Sequence, residues 1–572
     1  MDAAPATPPP APQPAAAPLT PVATNQRIEA LDVVRGFALL GIFLMNIEWF
    51  NRPVAAFSEG IPRDATGLNW LASWFVAYFV AGKFWTIFSL LFGMGFAVML
   101  VRAERASREF TKLYLRRILA LAVFGALHYI FLWHGDILFS YAVGALALLI
   151  VLYGRARPIL IGCVVLVGLG FIPEADAFYG VAGGLAAVGM LGLHLRSEKR
   201  LSWRGVSMPV FSFLVLLAGV LMSIAAIVFW VLPDGPIEPR VPLTVFGPML
   251  FVTGWLSWKY HEPAEKRSLR MAVSIYVFIS VAMTAMPLVQ HVTPDPLAVP
   301  AGTAARVASS TKASTEKPKK TREERAAEMR TERDKRLKEQ ATRKADEIRM
   351  FSSGHYGEVV DWQARRFVEK AAGDAGFAVA LVGMFLIGVW FVRSGVMEEP
   401  EKHLAFFRKL ALYGLPLGIG LGVLTGFIAV SHTPGERYDG WGIARGLVML
   451  GNLPACLGYV GLVVTMLYSR TAWSHIRVLA APGRMALTNY LMQSLICMGA
   501  FYGFGLGLWG LPRAQQLLFV ALVYAAQIAF SHWWLARFRY GPMEWLWRGF
   551  TYREVPPLRL DDSRAAVPPR AA

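Results

Sequence analysis

Charge is what this sequence has least of. Only 17% of its 572 residues are Asp, Glu, Lys or Arg, against about 25% in average soluble proteins. Hydrophobic residues make up 55%, and the mean hydropathy is +0.44. The charges are also clustered, which leaves long stretches from which no soluble surface can be built. That excludes the several soluble domains the length would ordinarily suggest. Cysteine is scarce as well. Cys163, Cys456 and Cys497 all lie in apolar segments, and their spacing fits neither a zinc site nor a disulfide framework. No metal site is legible. Residues 1–26 are Pro/Ala-rich and lack the basic and apolar regions of a signal peptide. They have little to bury and are expected to be a disordered tail, as are residues 554–572.

What is abundant is apolar sequence in runs near the ~20 residues that a spanning helix needs. Fourteen such runs lie near 32–50, 80–101, 118–133, 137–153, 158–173, 177–194, 207–231, 243–258, 271–290, 375–392, 410–430, 442–468, 485–509 and 514–536. The first, from Val33 to Phe50, reads as an uncleaved signal anchor. With the N-terminus inside, the inner loops collect twenty-three basic residues, beginning with Arg102, Arg105, Arg108, Lys112, Arg116 and Arg117. The short outer loops carry five: Arg52, Arg63, Arg240, Arg437 and Arg513. The positive-inside rule therefore supports an even number of spans. The expected fold is an all-α polytopic transmembrane bundle of about 14 (12–14) spans, both termini cytoplasmic, in a bacterial inner membrane.

One segment departs from this pattern. Residues 306–349 hold fifteen basic and nine acidic residues, and pairs such as Glu332/Arg336 have helical i,i+4 spacing. This predicts a charged, solvated helix in an outer loop. The following piece, Phe351–Ala372, is expected to lie on the membrane surface. Much of the remaining positive charge lies in inner loops, so the net charge of +18 sets orientation and is no sign of nucleic acid. The organisation read from this is a membrane region 27–155, additional transmembrane helices 156–290, a charged extracytoplasmic loop 291–374 and a C-terminal membrane domain 375–553.

Polar residues inside spans are functional candidates by default. His128 lies well inside an apolar run, with His134 and Asp136 following. It is either a general base or a buried histidine bonded to a neighbouring helix. Arg35 and Asn46 are eleven residues apart in the first run, about 16 Å along a helix. His128 stands equally far from Arg117, so Asn46 and His128 should share a depth. Arg35 also suits a snorkelling anchor. The segment opening with Arg484, Thr488, Asn489 and Gln493 is polar enough to need protein, water or ligand beside it. Interhelical hydrogen bonding is the plainer reading. Gly499, Gly503, Gly505 and Gly507, like Gly93 and Gly95, suggest close helix packing.

The pieces RIEALDVVRGFALLGIFLMNI, KFWTIFSLLFGMGF, HGDILFSYAVGAL, MFLIGVWFVRSGV, GRMALTNYLMQSLI and FRYGPMEWLWRGFTY resemble the YeiB-like membrane proteins with domain of unknown function 418. The resemblance covers roughly 27–155 and 375–553. The first span is also similar to that of membrane acyltransferases. In a bacterial glycan O-acyltransferase family the Arg matching Arg35 is followed by a His where this chain has Asn46. The heparan-glucosaminide N-acetyltransferase family has Asn there, with its catalytic His in the next loop; residues 51–79 here contain none. An acyltransferase of this kind would take its base from His128, with His134 and Asp136 as alternatives and Asn46 as oxyanion donor. Arg35, Arg116, Arg117 and Arg484, with Thr488, Asn489 and Gln493, would hold acyl-CoA (acetyl-CoA) on the inner side. The expected partners are the lipid bilayer, a glycan or lipid acceptor and a second copy of the chain. A permease or a non-catalytic membrane scaffold are the competing readings.

Overall fold

The computed structural model describes residues 28–105, 110–232, 239–293, 322–436 and 438–560. The predicted tail 1–26, most of the C-terminal tail, Arg108, Arg437 and the first part of the charged segment lie outside these residues. The chain is built from helices, because a backbone without water must satisfy its own hydrogen bonds. They are α1 (Glu29–Asn46), α2 (Gly67–Phe75), α3 (Lys83–Arg105), α4 (Phe110–Phe131) and α5 (Leu138–Tyr153). Next come α6 (Ala156–Leu169), α7 (Ala177–Arg196), α8 (Val210–Val231), α9 (Arg240–Lys259) and α10 (Arg267–Val292). The charged helix is α11 (Arg322–Ser353), followed by α12 (Tyr356–Arg393), α13 (Leu404–Lys409), α14 (Leu415–Ile428) and α15 (Trp441–Leu467). The chain ends in α16 (Ala480–Arg484), α17 (Ala486–Phe501), α18 (Arg513–Leu535) and α19 (Pro542–Tyr552).

Eleven helical segments among the described residues are long and apolar enough to cross a membrane. Each of the fourteen predicted runs is helical. The difference in number comes from length, since α5 has 16 residues, α6 has 14 and α17 has 16. The run expected to reach 509 stops at Phe501. Gly503, Gly505 and Gly507 therefore serve a loop rather than a packed helix, Gly499 alone remaining in α17, and a Cβ on Gly503 would lie 2.4 Å from Ser352 O. A short hairpin joins α7 to α8, pairing Arg200–Trp203 with Val206–Pro209. Its turn, Arg204-Gly205, has both φ angles positive, at 48° and 82°, as a two-residue hairpin turn requires.

Burial sorts the helices into centre and rim. Two-thirds of the apolar stretch is buried in α1 and in α12, but only 11% in α8, so α8 presents its apolar surface to lipid. α12 runs for 38 residues without a break, about 57 Å at 1.5 Å per residue. A hydrocarbon core is only ~30 Å thick, so its first turns project beyond it. Residues 356–372 are thus the start of this spanning helix, not a separate surface piece. Their charges are held locally, with Lys370 2.6 Å from Asp374 and both bonded to Ser140.

α3 and α12 meet through backbone. A Cβ on Gly93 would lie 2.2 Å from Phe385 O, and one on Gly388 2.2 Å from Leu90 O. Gly95, two residues on, has nothing within 4 Å. Gly93→Leu should therefore force the two helices apart and lower the thermal unfolding midpoint of the purified protein, by the equivalent of ~1–3 kcal/mol or more. Gly95→Ala should leave the midpoint unchanged.

Candidate functional site

The polar centre is built around His128, in the last turn of α4. Asp136, in the turn between α4 and α5, accepts hydrogen bonds from the N–H groups of Leu138 (3.1 Å) and Phe139 (2.8 Å). The carboxylate is thereby anchored at the start of α5. Its Oδ1 lies 2.8 Å from His128 Nδ1. On the other side, His128 Nε2 lies 2.8 Å from Ser494 Oγ in α17. A carboxylate that already accepts two N–H bonds fixes the imidazole tautomer by its charge: Nδ1–H donates to Asp136, and Nε2 accepts from Ser494. The His128 and Asp136 side chains are 1% and 0% exposed, and Ser494 is equally buried. This is a Ser–His–Asp chain of the kind that activates a hydroxyl. His128 and Asp136 were legible in the sequence. Ser494 was not singled out there, although it follows Gln493 in the same polar opening.

A cavity of about 280 Å³ leads toward this centre. Its lining includes Arg35, Arg117, Arg484 and Arg548 together with Tyr141 and Tyr490; His128 and Ser494 lie behind Tyr490 and do not line it. The Tyr490 ring packs on His128 with centroids 5.1 Å apart. Arg117 lies over the Trp547 ring at 3.9 Å, and Arg35 pairs with Asp32 at 2.9 Å. Gly95 lines the same cavity, which explains the empty space beside it. Glu544 caps α17 by accepting from Leu487 N (2.7 Å), Thr488 N (3.1 Å) and Thr488 Oγ (2.6 Å). Burial raises its carboxyl above the usual range, and these hydrogen bonds oppose the rise. Arg548 and Glu544 stand in the quoted FRYGPMEWLWRGFTY segment but were not nominated, because nothing local ties α19 to α4.

The other sequence candidates fall elsewhere. Arg116, next to Arg117, does not line the cavity. Neither do Asn489 and Gln493, whose amides bond to Ser531 (3.0 Å) and Gln527 (2.9 Å) of α18. Those two residues realise the plainer reading of interhelical hydrogen bonding. Thr488 supports Glu544 beside the cavity. Asn46 is buried at the end of α1, and among the described residues it makes no hydrogen bond to His128 or Asp136. Among the described residues, one group with metal-ligand atoms converges outside this site, Glu198, His261 and Glu262. Arg267 already pairs with both carboxylates there.

His134 is not part of the His128 chain. It stacks on Phe351 with centroids 5.3 Å apart and meets Trp362 edge-on at 5.6 Å. Phe351 arrives from the last turns of α11. There Glu347 accepts from Val54 N at 2.9 Å and pairs with Arg366 at 3.4 Å, and Lys344 pairs with Glu59 at 3.1 Å. The charged helix thus closes the end of the bundle opposite the arginines.

Eleven spanning segments around a buried polar centre define a multi-pass helical membrane protein. Residues 391–554 match the family described as "Protein of unknown function (DUF418)". The uncharacterized protein YxaH of Bacillus subtilis (strain 168) is 27% identical over 548 residues, 94% of this chain and 98% of its own. The uncharacterized protein YeiB of Escherichia coli (strain K12) is 35% identical over 193 residues, 33% of this chain and 49% of its own. No solved structure matches. The chain is thus similar to the YeiB and YxaH proteins, and its C-terminal part matches DUF418. None of these matches carries an acyltransferase description. The DUF418 segment supplies Ser494, Arg484, Glu544 and Arg548, while His128, Asp136, Arg35 and Arg117 come from the N-terminal region.

Burial, and secondarily the charge of Arg366, hold the His134 imidazole down to about 3, from an ordinary value near 6.5. The folded state therefore binds this proton less readily than the unfolded one. The stabilisation is complete above about pH 6.5 and is lost as pH falls toward 3. Tryptophan fluorescence of the Trp133–Trp362–Trp509 cluster should report loosening over that window. His134→Phe should flatten the transition.

Proposed function

We propose that this protein is an integral membrane acyltransferase. It would take an acyl group from acyl-CoA at the arginine-lined end, assigned to the cytoplasm by the positive-inside rule, and pass it to a hydroxyl of a glycan or lipid at the opposite face. One observation carries the reading: a cavity runs from four arginines to Tyr490, and Tyr490 packs on a histidine held between a carboxylate and a serine hydroxyl. Guanidinium groups suit the phosphates of CoA.

In this mechanism Ser494 Oγ attacks the thioester carbonyl while His128 Nε2 takes the hydroxyl proton. The C–S bond breaks, and the CoA thiolate leaves with that proton, giving an ester on Ser494. The acceptor hydroxyl then attacks the ester, His128 takes its proton and returns it to Ser494, and the acylated product departs. Asp136 holds the imidazole orientation and stabilises its charged form. His128 takes the role of base, because its Nε2 already faces a hydroxyl. Among the described residues Asn46 makes no hydrogen bond to this chain of residues, and it takes no step.

The permease reading has one observation in its favour. The helix entering at Gly67 breaks at Ala81-Gly82, where Gly82 has φ +79°, and Lys83 behind the break is fully buried. Broken helices with buried charge are a transporter feature. The chain also breaks between Arg484 and Ala486, beside the arginine-lined cavity; the Ser–His–Asp chain, which a permease does not need, is what favours acyl transfer.

The test uses the full chain in detergent with labelled acetyl-CoA. Wild type should bind it and transfer label. Ser494→Ala and His128→Ala should retain binding and lose transfer by ~10³-fold or more. Gly95→Leu should fill the cavity and abolish binding in a protein that still folds. Absence of binding at high micromolar acetyl-CoA would sink the proposal.

A further inference from the structure

The slot beside His134 has the shape of a ligand site filled from within. The Phe351 ring lies between His134, 5.3 Å away at 26°, and Trp509, 5.6 Å away at 13°. Trp362 at 5.4 Å and Tyr502 at 4.8 Å close its sides. A flat ring held between two near-parallel rings is ordinary aromatic packing. The surrounding polar atoms are not ordinary. Both ring nitrogens of His134, Trp133 Nε1, Tyr502 Oη and Gln363 Oε1 are buried without a hydrogen-bond partner among the described residues. Each such group is desolvated with no hydrogen bond in return. A phenyl ring satisfies none of them.

The walls and the occupant are held differently. Trp509 is fixed by its loop, where Asn51 Oδ1 accepts from Gly510 N (2.8 Å) and Leu511 N (3.0 Å). Trp133 and His134 stand on the α4–α5 turn anchored by Asp136. Phe351 instead belongs to α11, a polar helix whose residues 328–346 are almost all exposed. It is tied down by the Glu347 and Lys344 contacts and by Phe351 O accepting from Gly503 N at 2.8 Å.

We propose that Phe351 is a built-in occupant of a pyranose-binding slot and that α11 is its displaceable plug. A pyranose has apolar C–H faces that stack on aromatic planes and hydroxyls around its rim. The slot offers two stacking planes, with the two His134 nitrogens and the Tyr502 phenol on its walls; Trp133 and Gln363 stand next to the wall residues His134 and Trp362 in the chain. An acyl chain would leave those groups as unsatisfied as the phenyl ring does, which selects a sugar over a lipid tail. Trp133 packs edge-on to His128 at 6.2 Å, so the slot adjoins the catalytic histidine on the side away from the arginines. The assignment of the bound sugar as acyl acceptor rests on the acyl-transfer reading; the binding itself does not.

The test titrates the full chain, in a sugar-free detergent, with N,N′-diacetylchitobiose and follows tryptophan fluorescence. Phe351→Ala should bind at least ten-fold more tightly than wild type, and adding Trp509→Ala should cost at least ten-fold. Glu347→Lys, which repels Arg366 and changes no residue of the slot, should also tighten binding, and it serves as the readout if Phe351→Ala fails to fold. No saturable binding in either plug variant overturns the proposal. So does equal binding of cyclohexanol, which has the ring without the rim of hydroxyls. Acetyl-CoA binding is measured on the same samples. If it persists while sugar binding is absent, only the slot is refuted; if it is absent in wild type, the acyl-transfer reading fails whatever the sugar does.

Discussion

A polar group buried in a bilayer must find its partner inside the protein, and Asp136 is where this chain meets that demand most fully. Its carboxylate takes two backbone N–H groups at the start of α5 and the imidazole of His128. Those contacts fix the α4–α5 turn, the tautomer of His128 and, through Nε2, the position of Ser494. The turn also carries Trp133 and His134, so one anchored carboxylate orients both the hydroxyl-activating chain and the aromatic cluster behind it. An uncompensated charge at this depth would cost several kcal/mol, which is why the site is so tightly bonded.

The centre lies between two unlike ends. At one end four arginines line a cavity with the capped Glu544 beside them. At the other, aromatic rings close around Phe351 under the charged helix. In the proposed reading the arginine end would take an anionic, phosphate-bearing donor and the aromatic end a neutral, ring-shaped acceptor, with His128 between. It gives the charged segment a role too. Its outer turns are solvated and carry excess positive charge, and its last turns seal the bundle.

Much of this architecture could be read from residue order. Hydropathy placed every spanning helix, because a run of apolar residues has few ways to be satisfied except as helix in lipid. The eleven-residue spacings Arg35–Asn46 and Arg117–His128 pointed to a shared depth for Asn46 and His128, and His128 with Asp136 stood out as polar groups in apolar surroundings. Helix ends were harder. The predicted run to 509 ended at Phe501, and α12 began nineteen residues before the predicted run at 375, because i,i+4 pairs such as Lys370–Asp374 keep a charged stretch helical where hydropathy marks a boundary.

The sequence by itself determined the class of protein, the places where the chain crosses and the side on which its positive charge collects, since these depend on local composition and helical rise. Only the tertiary structure decided which polar residues meet. Ser494 lies 366 positions from His128, and Arg548 reaches the Arg117 cavity from a different end of the chain. Asn489 and Gln493, equally polar and equally close to the site in sequence, turn to α18 instead. Helical periodicity says which residues share a face. Which neighbour that face meets depends on packing between distant segments, and no local pattern carries that information.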